Sequence, residues 1–365
     1  MKVAEIIETL EKISPTVYQE SYDNCGLIIG KSEWECTGIL CTLDATEEVI
    51  LEAKAKGCNL VVTHHPIIFS GLKKINGKNY VEKAVITSIK NDIAVYAIHT
   101  NLDNVITGVN GKMADALGLI NRRILLPKSD LLIKLFTFVP VEYGEKVKSA
   151  IFEAGAGNIG NYSECSFSTE GTGTFHAGEK TNAFVGEIGQ RHHEKELKIE
   201  VIFPVSLQNK IIEALIAAHP YEEVAYDLIA LENKFELIGS GLIAELPEVT
   251  DEKSFLAKIK AVFGLQAIKH TNLLGKKITK VAICGGSGSF LISNALGAKA
   301  DLYITSDVKY HEFFDAEGKM VIADIGHWES EQFTTDLLIG VLKANFPTFA
   351  VLKSEVRTNP VQYFL

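Results

Sequence analysis

Strand-like apolar segments alternate with amphipathic helical ones over the first 128 residues, and the same alternation resumes over the last 130. That pattern restricts both ends of the chain to α/β units with a mainly parallel sheet. In the first part, "GILCTLDAT" (38–46) reads as a strand. "TEEVILEAKAKG" follows as a helix, with Thr46 as its N-cap, acids in its first turn and Gly57 beyond its last. Next come the strand through Leu60, Val61 and Val62, the helix "YVEKAVITSIKND" (80–92), the strand "IAVYAIHT" (93–100) and a helix around "GKMADALG" (111–118). In the last part, "KVAIC" (280–284), "DLYITSD" (301–307) and "MVIADIGH" (320–327) are strands. A glycine turn, "GGSGS" (285–289), leads from the first of them into the helix "FLISNALGAKA", and "EQFTTDLLIGVLKANF" (331–346) is a further amphipathic helix.

The middle follows another order. "LLIKLFTFVP" is a strand, "EYGEKVKSAIFEAGAG" a helix and "CSFSTEGTGTFHAG" a pair of strand-like pieces. "KELKIEVIFPV" (195–205) is a strand, "SLQNKIIEALIAAHP" (206–220) a helix and "EEVAYDLIAL" (222–231) a last strand. The order β-α-β-β-α-β is the ferredoxin-like arrangement. Residues 131–232 are therefore read as an α+β domain inserted into a discontinuous α/β domain made of residues 1–130 and 233–365.

A chain that is 47% hydrophobic and 22% charged has ordinary globular composition. Its formal net charge of -10 argues against an electrostatic nucleic-acid binder. The six cysteines are scattered without a CxxC pair, which suits reduced core residues. "MKVAEIIETLEKISP" is an amphipathic helix without the apolar stretch of a signal peptide. No apolar run approaches the roughly 18 residues of a membrane span, so a cytoplasmic protein without a membrane partner is expected.

Four loops just past predicted strands carry metal-type ligands. They are "THHP" with His64 and His65, "AIHTNLD" with His99 and Asp103, "ITSDVKYHE" with Asp307, His311 and Glu312, and "DIGHWESE" with His327 and Glu331. Ligands of open α/β sheets bind beyond the carboxyl ends of the strands, so these loops should converge. Two divalent cations roughly 3.5–4 Å apart repel each other and need bridging carboxylates. Asp103 and Glu331 suit that role, with His64, His65 and His327 as terminal nitrogen ligands. His327 and Glu331 are four apart, on one face of a helix start. Pro66 stops the strand after the two adjacent histidines, and a turn there would let both rings face one crevice.

The other polar groups have two readings each. His99 and His311 are candidate proton carriers. Asp307 either acts with them or caps the following helix. Gly285, Gly286, Ser287 and Gly288 form either a tight strand–helix turn or a cradle for a substrate phosphate. His192 and His193, in "GQRHHEKE", read as a solvated turn, and His219 closes a helix.

At these motifs the chain resembles the Nif-three-like dinuclear-metal family, the type 2 GTP cyclohydrolase I homologues. The resemblance runs through "YDNCGLIIG" (22–30), "CTLDAT" (41–46), "VVTHHPIIF", "YAIHTNLDN" (96–104), "AHPYEEVAYD" (218–227), "CGGSGS", "TSDVKYHE" and "GHWESE". It implies metal ligands at His64, His65, Asp103, His327 and Glu331, with His99 beside the metals. It also implies an inserted domain similar to PII and CutA proteins, and a toroidal homohexamer built as a trimer of dimers. Ser306 stands where the family's "TGD" form has glycine, and every implied ligand is intact.

The expectation is a hydrolase with two divalent ions per chain, acting on a nucleotide through a metal-activated water. Zinc is the first choice of metal, and iron, manganese, cobalt or nickel also suit imidazole and carboxylate ligands. The alternatives are a phosphoesterase or nucleotidase using the same metals, and a non-enzymatic metal-binding scaffold or regulator.

Overall fold

The structure, a computed structural model, describes residues 1–364. The chain divides into two compact units, Met1–Pro127 with Glu236–Leu365, and Lys128–Phe235. The first is built on two sheets. One runs in the order Gly26–Ile29, Ala94–Ala97, Leu60–His65, Ile39–Asp44, Val351–Lys353. All its neighbours are parallel except the edge strand Gly26–Ile29. The other runs Lys269–His270, Val321–Asp324, Leu302–Ser306, Lys277–Ser287, Phe235–Asp251, Ile120–Lys128, with the second, third and fourth parallel. Parallel neighbours send their carboxyl ends to one edge, and the polar loops lie there.

Strands buried on both faces read as unbroken apolar runs. Leu60 and Val62 pack with Ile6, Leu10 and Leu338 on one side, while Val61 packs with Val49, Ile50 and Val85 on the other. The helices that return the chain start where capping chemistry places them. Thr46 accepts from the Val49 N–H to open Glu47–Ala55, and Asn79 accepts from the Glu82 N–H to open Tyr80–Lys90.

The elements differ from the sequence reading in several places, among them the expected pair of strand pieces in "CSFSTEGTGTFHAG", which is the single strand Ser166–His176. The strand from Lys277 runs through the glycines to Ser287, because its neighbour Leu302–Ser306 keeps pairing with it. The helix expected over 331–346 is two helices, His327–Glu331 and Thr334–Asn345. The long strand Phe235–Asp251 and the helix Glu252–Val262 were not anticipated.

The unit Lys128–Phe235 has the strand order Ser166–His176, Arg191–Pro204, Leu132–Pro140, Tyr226–Leu231, with every neighbour antiparallel. The helices Gly144–Glu153 and Gln208–Ala218 cover one face through Val147, Ile151, Ile211 and Leu215 against Leu135, Val139, Ile199 and Val201. In chain order the strands lie 2-3-1-4, which is the ferredoxin-like topology. The fold class is therefore the expected one, a discontinuous α/β domain with a ferredoxin-like α+β insertion. His192 and His193 are not in a turn. They lie in the strand Arg191–Pro204, opposite Phe175 and Thr174, because the edge strand Ser166–His176 is long enough to pair with them. Among the described residues no helix is long and apolar enough to cross a membrane.

Candidate metal centre

The ligand-type side chains gather beyond the carboxyl ends of the parallel strands of the discontinuous unit. His64 and His65 are the last two residues of the strand Leu60–His65. His99 precedes the short helix Thr100–Asp103, which ends on Asp103. His327 opens and Glu331 closes the helix after the strand Val321–Asp324. Both adjacent histidines belong to the strand itself, where successive side chains leave opposite faces. At the strand's end the two rings nevertheless meet. Their centroids are 4.9 Å apart. The His99 ring lies 5.2 Å from His64 and 5.3 Å from His65, and His327 lies 5.2 Å from His65.

Each imidazole is held through Nδ1. His64 Nδ1 is 2.8 Å from the Ile98 carbonyl oxygen, and His65 Nδ1 is 2.8 Å from Asp44 Oδ1. His99 Nδ1 is 2.8 Å from Asp23 Oδ1, and His327 Nδ1 is 2.6 Å from Asp307 Oδ2. All four partners are acceptors, so Nδ1 carries the proton and donates. In the neutral ring the Nε2 lone pair is then left for the crevice, the arrangement that orients histidine ligands of metals.

Glu331 lies among these rings, 2% exposed at its side chain. Its Oε2 is 3.0 Å from His65 Nε2 and 3.3 Å from His327 Nε2. The two nitrogens are 3.3 Å apart. Its Oε1 is 3.8 Å from His64 Nε2, which is 3.6 Å from Asp103 Oδ1. Donor atoms sharing one cation at about 2.0–2.2 Å stand ~3–3.5 Å from each other. His64 Nε2, Asp103 Oδ1 and Glu331 Oε2 are buried and make no hydrogen bond. The approach of His65 to Glu331 Oε2 is short but off the donor axis, an ionic contact only. An unsatisfied buried polar atom costs about 1–3 kcal/mol. Three such atoms aimed together, all nitrogen or carboxylate oxygen, fit a cation between them. The side chains are equipped to hold a metal ion, in overlapping groups of His64, His65 and His99 and of His65, His327 and Glu331.

The charges agree with that. Burial alone would lower the His65 imidazole, but Asp44 and Glu331 raise it to about 10. Burial also pulls His327 down, and Asp307 and Glu331 lift it to about 11. Burial pushes the Asp103 carboxyl up to about 7, opposed by His99 and reinforced by Glu331. Burial opposes the ionised form of Glu331, yet its contacts with His327, His64 and His65 hold it well below the usual carboxylate range.

The glycine run forms one wall. Gly286 has φ +64, and a Cβ there would lie 2.3 Å from Glu331 Oε1. Gly286→Ala is thus expected to strain the backbone and displace Glu331. Metal affinity, measured by competition with a chromophoric chelator, should fall by about tenfold or more. The amides of Gly285, Gly286 and Gly288 donate to Asn110 Oδ1 at 2.8 Å, Ser330 Oγ at 2.9 Å and Thr305 Oγ1 at 3.1 Å. The Ser287 hydroxyl donates to Asp307. Of the phosphate cradle expected at Gly285, Gly286, Ser287 and Gly288, these three amides already have acceptors inside the protein and are not free to receive a phosphate. Ser306 donates to the Gly286 carbonyl at 2.6 Å, so the hydroxyl at this position helps pin the turn.

Asp307 does not cap the next turn, which begins after Lys309; it fixes His327 instead. His311 is exposed on that turn, its ring 5.1 Å from Tyr310 and 6.3 Å from Phe314. It makes no contact with the cluster among the described residues, which removes the structural ground for its expected catalytic role. The sequence reading missed Asp23 and Asp44 as the groups that hold His99 and His65. Their only signal was position, inside "YDNCGLIIG" and "CTLDAT".

The family model described as Duf34/NIF3 (NGG1p interacting factor 3) matches residues 1–360. A Halalkalibacterium halodurans protein named "GTP cyclohydrolase 1 type 2 homolog" is 39% identical, with 100% of both chains covered. A Bacillus subtilis protein of the same name is 36% identical over 98% of each. Among solved structures, a Bacillus cereus protein related to NIF3 superposes with a TM-score of 0.86 at 38% identity, covering 100% of this chain and 99% of that one.

Proposed function

The chain belongs to the Duf34/NIF3 family, and on that premise we propose that its crevice is a dinuclear metal centre that hydrolyses a nucleotide, with GTP the first substrate to test. The observation that carries the reading is Glu331, whose Oε1 faces His64 while its Oε2 faces His65 and His327. A carboxylate divided in this way would bridge two cations, and Asp103, with Oδ1 toward His64, would be the second bridge. Zinc is the first choice of metal, with iron, manganese, cobalt or nickel also suited to nitrogen and carboxylate donors. When bound, such ions supply Lewis acidity and lower the pKa of a water toward neutrality.

The chain's own groups do the rest. Asp44 and Asp307 hold His65 and His327 so that each presents Nε2. His99, fixed by Asp23 through Nδ1, presents Nε2 beside His64 and His65 and is placed to carry a proton to or from substrate. The nucleotide class follows the name of the relatives, GTP cyclohydrolase 1 type 2 homolog.

His99→Gln should keep two metals per chain while lowering turnover ~10²–10⁴-fold; loss of a metal would make His99 a ligand instead. Metal-loaded protein incubated with GTP should release formate and a pterin product, resolved chromatographically. Release of phosphate or nucleoside alone would move the reading to a phosphoesterase or nucleotidase. No turnover with any of these metals, despite stoichiometric binding, would leave a metal-binding scaffold. A toroidal homohexamer, a trimer of dimers, belongs to the same proposal, and sedimentation should then give a particle of six 40.0 kDa chains.

A further inference from the structure

The motif "AHPYEEVAYD" takes no part in the metal centre. Its Tyr221, Glu222 and Glu223 line a cavity of about 670 Å³ within the unit Lys128–Phe235, a volume typical of small-molecule sites. Leu135, Val139, Ile199 and Val201 face the two helices, so the alternate residues Phe138, Glu196 and Lys198 face the other side of the sheet, and there they form the cavity floor. Phe175 from the edge strand and Phe184 from the following loop form the walls. The Tyr221 ring lies 6.4 Å from Phe175 and 6.2 Å from Phe184.

Glu196 is 8% exposed. Its Oε1 accepts from the Tyr221 hydroxyl at 2.8 Å. Among the described residues no lysine, arginine or histidine forms an ion pair with it. Lys198, two residues on, is engaged by Glu200 at 2.9 Å and by the Phe136 ring at 4.2 Å. A buried carboxylate without a cation is unusual in a folded protein. The opposite strand makes room for it, since a Cβ on Gly173 would lie 2.0 Å from Glu196 Oε2. Glu170, Glu222 and Glu223 add further negative charge around the lining, against the single ammonium of Lys198.

We propose that this cavity binds a small organic cation, an amidinium or ammonium compound with an apolar body. The charge sits at Glu196, and the body lies against Phe138, Phe175, Phe184 and Tyr221. Rings of this kind attract cations through their faces, and a charged donor to a carboxylate makes a stronger hydrogen bond than a neutral one.

Benzamidine and its neutral analogue benzamide test this by calorimetric titration of the full, metal-loaded protein. Benzamidine should bind at one site per chain, about tenfold or more tighter than benzamide. Glu196→Gln should remove that preference, with circular dichroism and metal content unchanged. Phe184→Ala, at a loop position 46% exposed, should weaken benzamidine several-fold. Equal binding of the two compounds, or no benzamidine binding up to about 10 mM, overturns the proposal. So does unchanged affinity in Glu196→Gln, or in Phe184→Ala should the first variant fail to fold.

Discussion

Glu331→Ala should leave the protein unable to hold the proposed metal pair. One side chain places an oxygen on each side of the cluster, and among the described residues no other carboxylate touches both His64 and the His65–His327 pair. In the proposed dinuclear centre, losing it would remove a donor from each ion and the negative charge that lets two cations stand close together. Loss of a group that merely orients a ligand costs ~10–100-fold in affinity, so loss of the bridge should cost more. After gel filtration, metal analysis should find two ions per chain in the wild type and none in the variant. A thermal scan gives an independent reading. At a free metal concentration about a thousandfold above Kd, binding adds about 4 kcal/mol to folded-state stability. A chelator should therefore lower the wild-type Tm and leave that of Glu331→Ala unmoved. Asp103→Ala should lose metal pairing and keep at most one ion; two ions still bound would refute its bridging role.

Metal binding should also depend steeply on pH. In the metal-free protein His65 and His327, raised to about 10 and 11, both carry protons at neutral pH. Asp103, raised to about 7, is then partly protonated. Ligands must give up these protons, so loading near pH 7 should release two to three per chain. Two protons correspond to an affinity that climbs about a hundredfold per pH unit. Calorimetry in buffers of different ionisation enthalpy counts them, and release of one or none would show the imidazoles to be neutral beforehand.

The same shifts act on the metal-free fold. A histidine raised from 6.5 contributes stability that is complete below 6.5 and is lost as pH climbs through about 10 and 11. Asp103, raised from 3.8, favours the folded state at low pH and loses that contribution between 3.8 and about 7. Chelated protein should therefore weaken steadily from mildly acid to alkaline pH. Glu331, Asp44 and Asp307, all lowered, act oppositely and only in more acid solution.

The cluster of ligand-type side chains was legible because its signals are short in range. His64 and His65 are adjacent at a strand end, and His327 and Glu331 are one helical turn apart. Each strand-end loop announces its chemistry by residue type alone. The ferredoxin-like insertion was legible for the same reason, since its six elements follow one another in order with clear periodicity. His311 could not be placed from residue type alone. Whether a side chain in a loop turns inward depends on the course of the backbone, and the turn Tyr310–Ala316 leaves His311 in solvent.

What the amino-acid sequence determined by itself is the kind of site and its place: nitrogen and carboxylate donors at the carboxyl ends of parallel strands. Periodicity and residue chemistry act over a few residues, and both survive in a linear reading. The tertiary structure alone decided how those donors are held. Asp23 meets His99 across 76 residues and Asp44 meets His65 across 21. The Gly285 amide, expected to face a phosphate, donates to Asn110, 175 residues away. A hydrogen-bond partner is chosen by whichever segment packing brings within about 3 Å, and a linear pattern does not encode that choice.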